Sequence, residues 1–164
     1  MVVGELTIRE MTAADHPVIG VVGFAAWSSS DALSGVDLSA EVRERTRRAY
    51  ELFPSEANGD VWVAELDGEV VGWLARNSAT NYISDLWVLP QQQGRGVGMK
   101  LVLFAIDRIR ADGHRTATIH AHARNTGAIR LYERCGFSIV WRGIEHSTSM
   151  EMDLKKVHLE LPLT

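Results

Sequence analysis

The stretch Leu89-Pro90-Gln91-Gln92-Gln93-Gly94-Arg95-Gly96-Val97-Gly98-Met99-Lys100 decides how this chain is read, because three alternate glycines stand directly before an apolar, helix-forming segment. A glycine that becomes ordered on folding costs about 0.5–1 kcal/mol relative to alanine, so this clustering points to backbone that must come close to something. The first turn of the following helix offers unpaired N–H groups and the positive end of a dipole, and both suit an anion. A pyrophosphate fits; a ligand-free glycine turn fits the loop residues equally well. A Walker loop is excluded, since Gly98-Met99-Lys100-Leu101 has neither a lysine next to its glycine nor a following hydroxyl. The dinucleotide fingerprint is met at Gly94 and Gly96 but has Met99 in place of its last glycine, and too few βαβ units follow for a doubly wound sheet.

Upstream of this loop, Val61 to Leu66 and Val70 to Ala75 flank Asp67-Gly68, a short hairpin signal, and Tyr82 to Val88 adds a third strand to an antiparallel meander. Downstream, a helix is predicted from about Gly96 to Ala111, stopping near Gly113, followed by a strand over Thr116 to His122. Strand, helix and strand imply a right-handed crossover. Asn125 or Thr126 caps a short helix to Arg134 that Gly136 terminates, before strands near Phe137 to Arg142 and Thr148 to Leu154. At the N-terminal side, Glu5 to Glu10 alternates as a strand, and Thr12 caps a helix carrying Val18, Val21, Val22 and Ala25 toward a core. Ser28 to Gly35 breaks that helix. A second runs from Ser39 to about Phe53, ends at Pro54, and puts Val42, Thr46, Ala49 and Phe53 on one face. The tail Lys155 to Thr164 is open to three readings: strand, disorder, or packing on a partner.

With 164 residues, 46% hydrophobic and 23% charged, the chain has the composition of one ordinary globular domain. A formal charge of −4 argues against a nucleic-acid partner, and the cluster Arg43, Arg45, Arg47 and Arg48 is interrupted by acid on a solvated helix face. Cys135 is the sole cysteine, which rules out an internal disulfide or a thiolate cluster and suits a reducing cytoplasm. No metal is expected: His114, His120 and His122 lack a carboxylate at fitting spacing. No run of about 18 apolar residues exists, and Val18 to Trp27 is too short to span a bilayer, so no membrane association is expected. The N-terminus lacks the basic and apolar regions of a secretory leader.

Two patterns in order, Val88-x-Pro90-x-x-Gln93-x-x-Gly96-x-Gly98 and Asn125-x-x-Ala128-x-x-x-Tyr132-x-x-x-Gly136-Phe137, resemble the GNAT superfamily of acyl-CoA-dependent N-acetyltransferases. The resemblance is at motif level over Tyr82 to Trp141, and element order extends it over most of the chain. It implies one α+β domain over residues 1–164, a mixed, mostly antiparallel sheet with helices on both faces. Acceptor-side helices would lie at about 12–53 and an acetyl-CoA-binding core at about 80–141. It also implies that the fourth and fifth strands splay apart for the pantetheine arm of acetyl-CoA, the co-substrate. Leu86, Trp87 and Val88 would then bond that arm through their backbone. Amides among Gln93, Gly94, Arg95, Gly96, Val97, Gly98 and Met99 would hold the pyrophosphate, with Arg95 and Lys100 adding charge. Asn125 would reach the arm or cap its helix.

Acetyl transfer to an amine needs a neutral nucleophile, whereas a lysine-like amine with pKa near 10.4 is protonated at neutral pH, so a base or proton wire is required. The attack also charges the thioester oxygen and expels a thiolate, which call for a fixed N–H and an acid. Tyr132 matches the family's acid position; otherwise it is an interior aromatic. The glutamate many relatives carry on the fourth or fifth strand is absent from Tyr82-Ile83-Ser84-Asp85-Leu86 and from Thr118-Ile119-His120-Ala121-His122. His120 and Asp85 are the candidate bases, with the histidines equally readable as ordinary strand residues. Trp27, beside the Ser/Gly-rich connection where the family admits its acceptor, joins Tyr82 and His122 as the acceptor-binding set, while the other tryptophans and Cys135 read as packing residues. The expected function is direct acetyl transfer to a primary amine of a small molecule or protein. The alternative is a non-catalytic acyl-CoA sensor. The family resemblance also implies a homodimer through the last strands or the tail.

Overall fold

The computed structural model describes residues 5–33, 35–147 and 150–163. Its elements, in order, are β1 (Leu6–Glu10), α1 (His16–Ser28), α2 (Ala40–Glu56), β2 (Val61–Leu66), β3 (Glu69–Arg76), β4 (Tyr82–Val88), α3 (Val97–Ala111), β5 (Thr116–His122), α4 (Thr126–Arg134), β6 (Ser138–Ser147) and β7 (Met152–Pro162). One seven-stranded sheet has the order β1-β2-β3-β4-β5-β7-β6. Neighbours are antiparallel except β4 and β5, which are parallel and joined through α3. The Asp67-Gly68 turn takes positive φ at both residues, 53° and 81°, the geometry that matches strand twist in a two-residue hairpin.

The spacing Leu101, Ala105, Ile109 with Val102 and Ile106 makes one apolar face of α3. That face is buried against Ile83, Ile119, Val157 and Leu159 on one side of the sheet. On the other side α1 and α2 bury Ile19 and Val22 against Val61, Val63 and Trp73, and the Trp73 indole donates to the Ile19 carbonyl at 3.0 Å. The α+β arrangement with helices on both faces thus follows the reading of the sequence.

Several local expectations are corrected. Asp15, rather than Thr12, stands at the N-cap of α1; Thr12 starts a 3₁₀ turn over Ala13–Asp15, and its N–H donates to Asp15 Oδ2 at 2.7 Å. The buried side of α1 carries Ile19, Val22, Ala26 and Trp27, and Val21 is 65% exposed, because this helix is apolar nearly all round and periodicity alone does not orient it. In α2 the buried positions are Thr46 and Pro54, while Ala49 is exposed. That helix also runs through Pro54 to Glu56. Proline cannot bond the Tyr50 carbonyl, but α1 crosses closely there: a Cβ on Gly20 would stand 3.3 Å from Tyr50 O and 3.1 Å from Glu51 Cα. Helix-on-helix packing outweighs the missing hydrogen bond. The last two strands are longer than expected. β6 reaches Ser147 and β7 begins at Met152, taking the tail through Pro162 into the sheet between β5 and β6; Thr148, the expected start of that strand, lies outside the described residues.

Two features of β4 position the site. It pairs with β5 only at Tyr82–Thr118 and Ile83–Ile119, although β3 pairs it on to Val88 and β7 pairs β5 on to His122. Beyond Ile83, each strand therefore has a full partner on its outer side and a bare edge facing the other. In addition, Ala75 faces Asp85 while Arg76 faces Ile83, so Ser84 is an extra, bulged residue. Near the start of β4, the buried Arg76 ties Asp60 (2.8 Å) to Asp112 (2.6 Å), which fixes the end that stays closed.

Candidate active site

Where β4 and β5 part, a cavity of about 650 Å³ opens. Tyr82 and Asp85 to Val88 line it from β4, His120 to His122 from β5, Asn125 and Tyr132 from the α4 side, and Gln93, Gly94, Gly96, Gly98 and Met99 from the glycine turn. The bulge at Ser84 explains why both Tyr82 and Asp85 face it. In a regular strand, residues three apart point to opposite faces.

The glycines of the turn serve different ends. Gly94 and Gly96 have φ of 78° and 86°, and a Cβ at either would meet nothing within 4 Å; conformation, not crowding, demands glycine there. Gly96 is the N-cap of α3. The first helical bond at this end runs from Lys100 N to Gly96 O at 3.0 Å, which leaves the Val97, Gly98 and Met99 amides at the end of the dipole without carbonyls a turn before them. Gly98 is instead a contact point: a Cβ would lie 3.1 Å from Leu131 Cδ2 of α4. Gln93 donates from its side chain to Val88 O at 3.1 Å, locking the turn to the end of β4. Val97 turns its side chain into the core and contributes only backbone, and Arg95 and Lys100 are exposed and do not line the cavity. Asn125 caps α4, its Oδ1 accepting from Ala128 N at 3.3 Å. These fixed amides, with the bare strand edges beside them, fit a phosphate carrying a long amide-containing arm.

At the Tyr82 end of the cavity, the Tyr82 hydroxyl lies 3.2 Å from His120 Nδ1. His120 stacks on His158 with ring centroids 3.5 Å apart and planes 5° from parallel, and His158 Nε2 is hydrogen-bonded to Glu145. Glu145 and His158 are functional-site neighbours that the sequence reading missed. The signal lies in strand register, His120 opposite His158, which no local pattern shows. His120, Glu145 and His158 each offer an atom within 4.8 Å of the others, the kind of set that can ligate a divalent ion. As arranged, they do not fit one: stacked parallel rings carry their lone pairs side by side, whereas a tetrahedral ion needs them to converge at about 2 Å.

Burial dominates the electrostatics. It lifts the Asp85 carboxyl to about 6, against the opposing hydrogen bonds from Trp87 and Ser84; Trp87 Nε1 donates at 3.2 Å. Burial, and next the charge of His158, push His120 down to about 4. His122 is lowered by burial and then by Lys156. Tyr82 is raised to about 12 by burial and then by Asp85. Tyr132, only 6% exposed, is raised further by the same two causes in the same order and so stays a phenol at any working pH. Trp27 does not line the cavity. It is turned into a cluster with Leu33, Leu38 and Met150, and the wall at that point is Ala26, Ser29, Ser30 and Asp31, because the side chain at the end of a helix with an apolar girth follows the larger hydrophobic contact. Trp87 packs edge-on to Tyr50 at 5.5 Å. Cys135 lies off the cavity wall, and burial raises its thiol.

Residues 21–137 match the family model described as Acetyltransferase (GNAT) family. Among curated relatives, a mycothiol acetyltransferase of Streptomyces griseus is 35% identical over 81 residues, 47% of this chain and 26% of its own length. The uncharacterized N-acetyltransferase YjgM of Escherichia coli K12 is 29% identical over 136 residues, 79% of this chain and 80% of its own length. The chain thus spans about a quarter of the mycothiol acetyltransferase and four-fifths of YjgM. In fold it is similar to yncA of Salmonella typhimurium, solved with its cofactor acetyl-CoA, at a TM-score of 0.69 and 22% identity over 98% of this chain and 95% of that one.

Proposed function

The chain belongs to the Acetyltransferase (GNAT) family, and from that premise we propose that it transfers an acetyl group from acetyl-CoA to a primary amine by direct attack. The observation that carries this reading is the parting of β4 and β5 after two residue pairs, with the glycine turn at the mouth of the resulting cavity. We take residues 1–164 as one domain, with the donor core at about 80–141 and the acceptor-side helices at about 12–53.

Acetyl-CoA supplies an activated thioester. Amides over Gln93 to Met99 hold its diphosphate, and the bare β4 edge from Leu86 to Val88 bonds the pantetheine amides and sets one N–H toward the carbonyl oxygen that gains charge. Tyr132, always protonated here, donates to the departing sulfur. Asp85 is the base we favour: a carboxyl lifted to about 6 is ionised at neutral pH and takes a proton more readily than an ordinary one. His120, lowered to about 4, is the poorer base and holds Tyr82. The place of Asp85 on the cavity wall supports catalysis over the non-catalytic sensor reading.

The acceptor side presents Asp31 and Asp85 together with Tyr82 and Trp87, which suits a cationic amine on a small molecule or protein. We place the protein in the cytoplasm, where its lone thiol stays reduced. Among the described residues, no helix is long and apolar enough to cross a membrane. A homodimer would form through β6, the outer strand, with its exposed Val140 and Ile144. Calorimetric titration with acetyl-CoA, followed by thiol release against a panel of amines, tests the assignment. Binding with turnover of at least one amine is expected; binding without turnover on any amine favours a sensor, and no binding removes the reading.

A further inference from the structure

Tyr82, His120, His158 and Trp141 form a column of rings across β4, β5, β7 and β6, with successive centroid separations of 4.6, 3.5 and 4.4 Å. Glu145 closes the column on His158. Gly143 makes room for this: a Cβ there would fall 2.2 Å from Trp141 Cζ2, so the indole can lie over the strand between Trp141 and Glu145. The transfer scheme above uses neither His158 nor Glu145.

Resting on that scheme, we propose that His158 and Glu145 are positioning residues that fix the direction of the Tyr82–His120 hydrogen bond: Tyr82 donates to His120 Nδ1 and turns an oxygen lone pair to the cavity, where it receives an N–H of the incoming amine. A half-buried phenol must place its proton, and Nδ1 is within reach at 3.2 Å. A charged imidazole could only donate from Nδ1, which would occupy the Tyr82 oxygen and turn the phenol proton on the amine instead. The charged or titratable groups facing His120 are Tyr82 on β4, Lys156 and His158 on β7, and Glu145 on β6. Glu145 is bonded to His158, and the opposing charge of His158 outweighs the pull that Glu145 exerts on His120. Lys156 opposes a positive charge on His120 as well. The amine nitrogen, held by one N–H on Tyr82, keeps its other proton for Asp85.

Removing His158 while keeping Glu145 should release that carboxylate onto His120. In nitrogen-15 histidine spectra of the full chain, wild type should show His120 Nδ1 as an unprotonated acceptor from pH 5.5 to 8. His158→Phe keeps a stacked ring and should raise the His120 midpoint by about one pH unit or more, and His158→Phe with Glu145→Gln should return it toward wild type. With the fastest amine of the panel, Tyr82→Phe should raise the amine KM by about fivefold or more across the pH range, and His158→Phe should do so only as pH falls toward the raised His120 midpoint, with acetyl-CoA affinity within about twofold in both; His158→Phe with Glu145→Gln should restore KM there. A protonated Nδ1 in wild type near neutral pH, or a His120 titration indifferent to His158→Phe, overturns the proposal; so does an unchanged amine KM in both single variants. The histidine spectra need neither acetyl-CoA nor an amine, so they decide the hydrogen-bond direction even where calorimetry goes against the transfer reading.

Discussion

Replacing Asp85 by asparagine should stabilise the protein while abolishing its proposed chemistry. The folded chain holds the Asp85 proton up to about pH 6, whereas an unfolded aspartate releases it near 3.9. Between those values the folded state binds more protons than the unfolded one, so stability falls as pH rises through the window and stays reduced above it. A difference of roughly two in pKa, at about 1.4 kcal/mol for each, sets an upper figure of about 3 kcal/mol; water entering the cavity screens the charge, so about 1–3 kcal/mol is expected. The side-chain amide of the variant would carry no charge and could still accept the Trp87 N–H. Asp85→Asn should therefore exceed wild type by that amount at pH 8 and match it within about 0.5 kcal/mol near pH 4, which for a domain of this size is roughly 3–10 °C in Tm at pH 8. Thiol release should fall by about a hundredfold or more. Urea or thermal unfolding at both pH values, beside the turnover assay, checks both halves. A variant less stable at pH 8, or a gap that does not depend on pH, refutes the claim of an unfavourable buried charge; wild-type turnover refutes the role of base.

Tyr132→Phe should lower kcat at least about tenfold with acetyl-CoA affinity within about twofold, and equal rates would return Tyr132 to the core. Gly98→Val should press α3 away from Leu131, whose Cδ2 would lie 3.1 Å from the new Cβ, and weaken acetyl-CoA binding by about tenfold in calorimetry; unchanged affinity would mean the turn does not depend on that contact. Asp15 is held down to about 2, chiefly by hydrogen bonds from Arg9 at 2.7 and 2.9 Å. This depressed group stabilises the fold above the unfolded value near 3.9 and loses that effect as pH falls through about 2, so Asp15→Asn should cost about 2 kcal/mol at pH 7. The gap should shrink between pH 4 and pH 2, and a constant gap would deny the ion pair its part.

The order of strands and helices was legible because each carries a local signature: the Asp67-Gly68 turn, the alternation of β5, the apolar stripe of α3, and Gly136 after α4. The glycine turn that lines the cavity was legible for the same reason, since it is contiguous in sequence. What failed locally failed where tertiary contact decides. Val21 and Ile19 are indistinguishable on a helix that is apolar all round, and Pro54 stays helical because α1 leans on α2 at Gly20. Trp27 follows Leu33 and Leu38 inward rather than the cavity. The bulge at Ser84 leaves no mark in composition, yet it alone brings Asp85 round to join Tyr82. Glu145 and His158 lie 25 and 38 residues from His120 in sequence, beyond the reach of any motif.

A sheet divided along its centre after Ile83 behaves mechanically as two leaves, β1 to β4 and β5 to β6, sharing a short seam at Tyr82–Ile83 and Thr118–Ile119. On the transfer reading the donor's amide chain stitches those leaves together, acting as a temporary strand. Supply of the activated acyl group then governs the enzyme's endurance as well as its rate: a starved cell would hold a looser molecule with two inner borders open to foreign strands and proteases, and a well-fed one a stiffer, longer-lived catalyst.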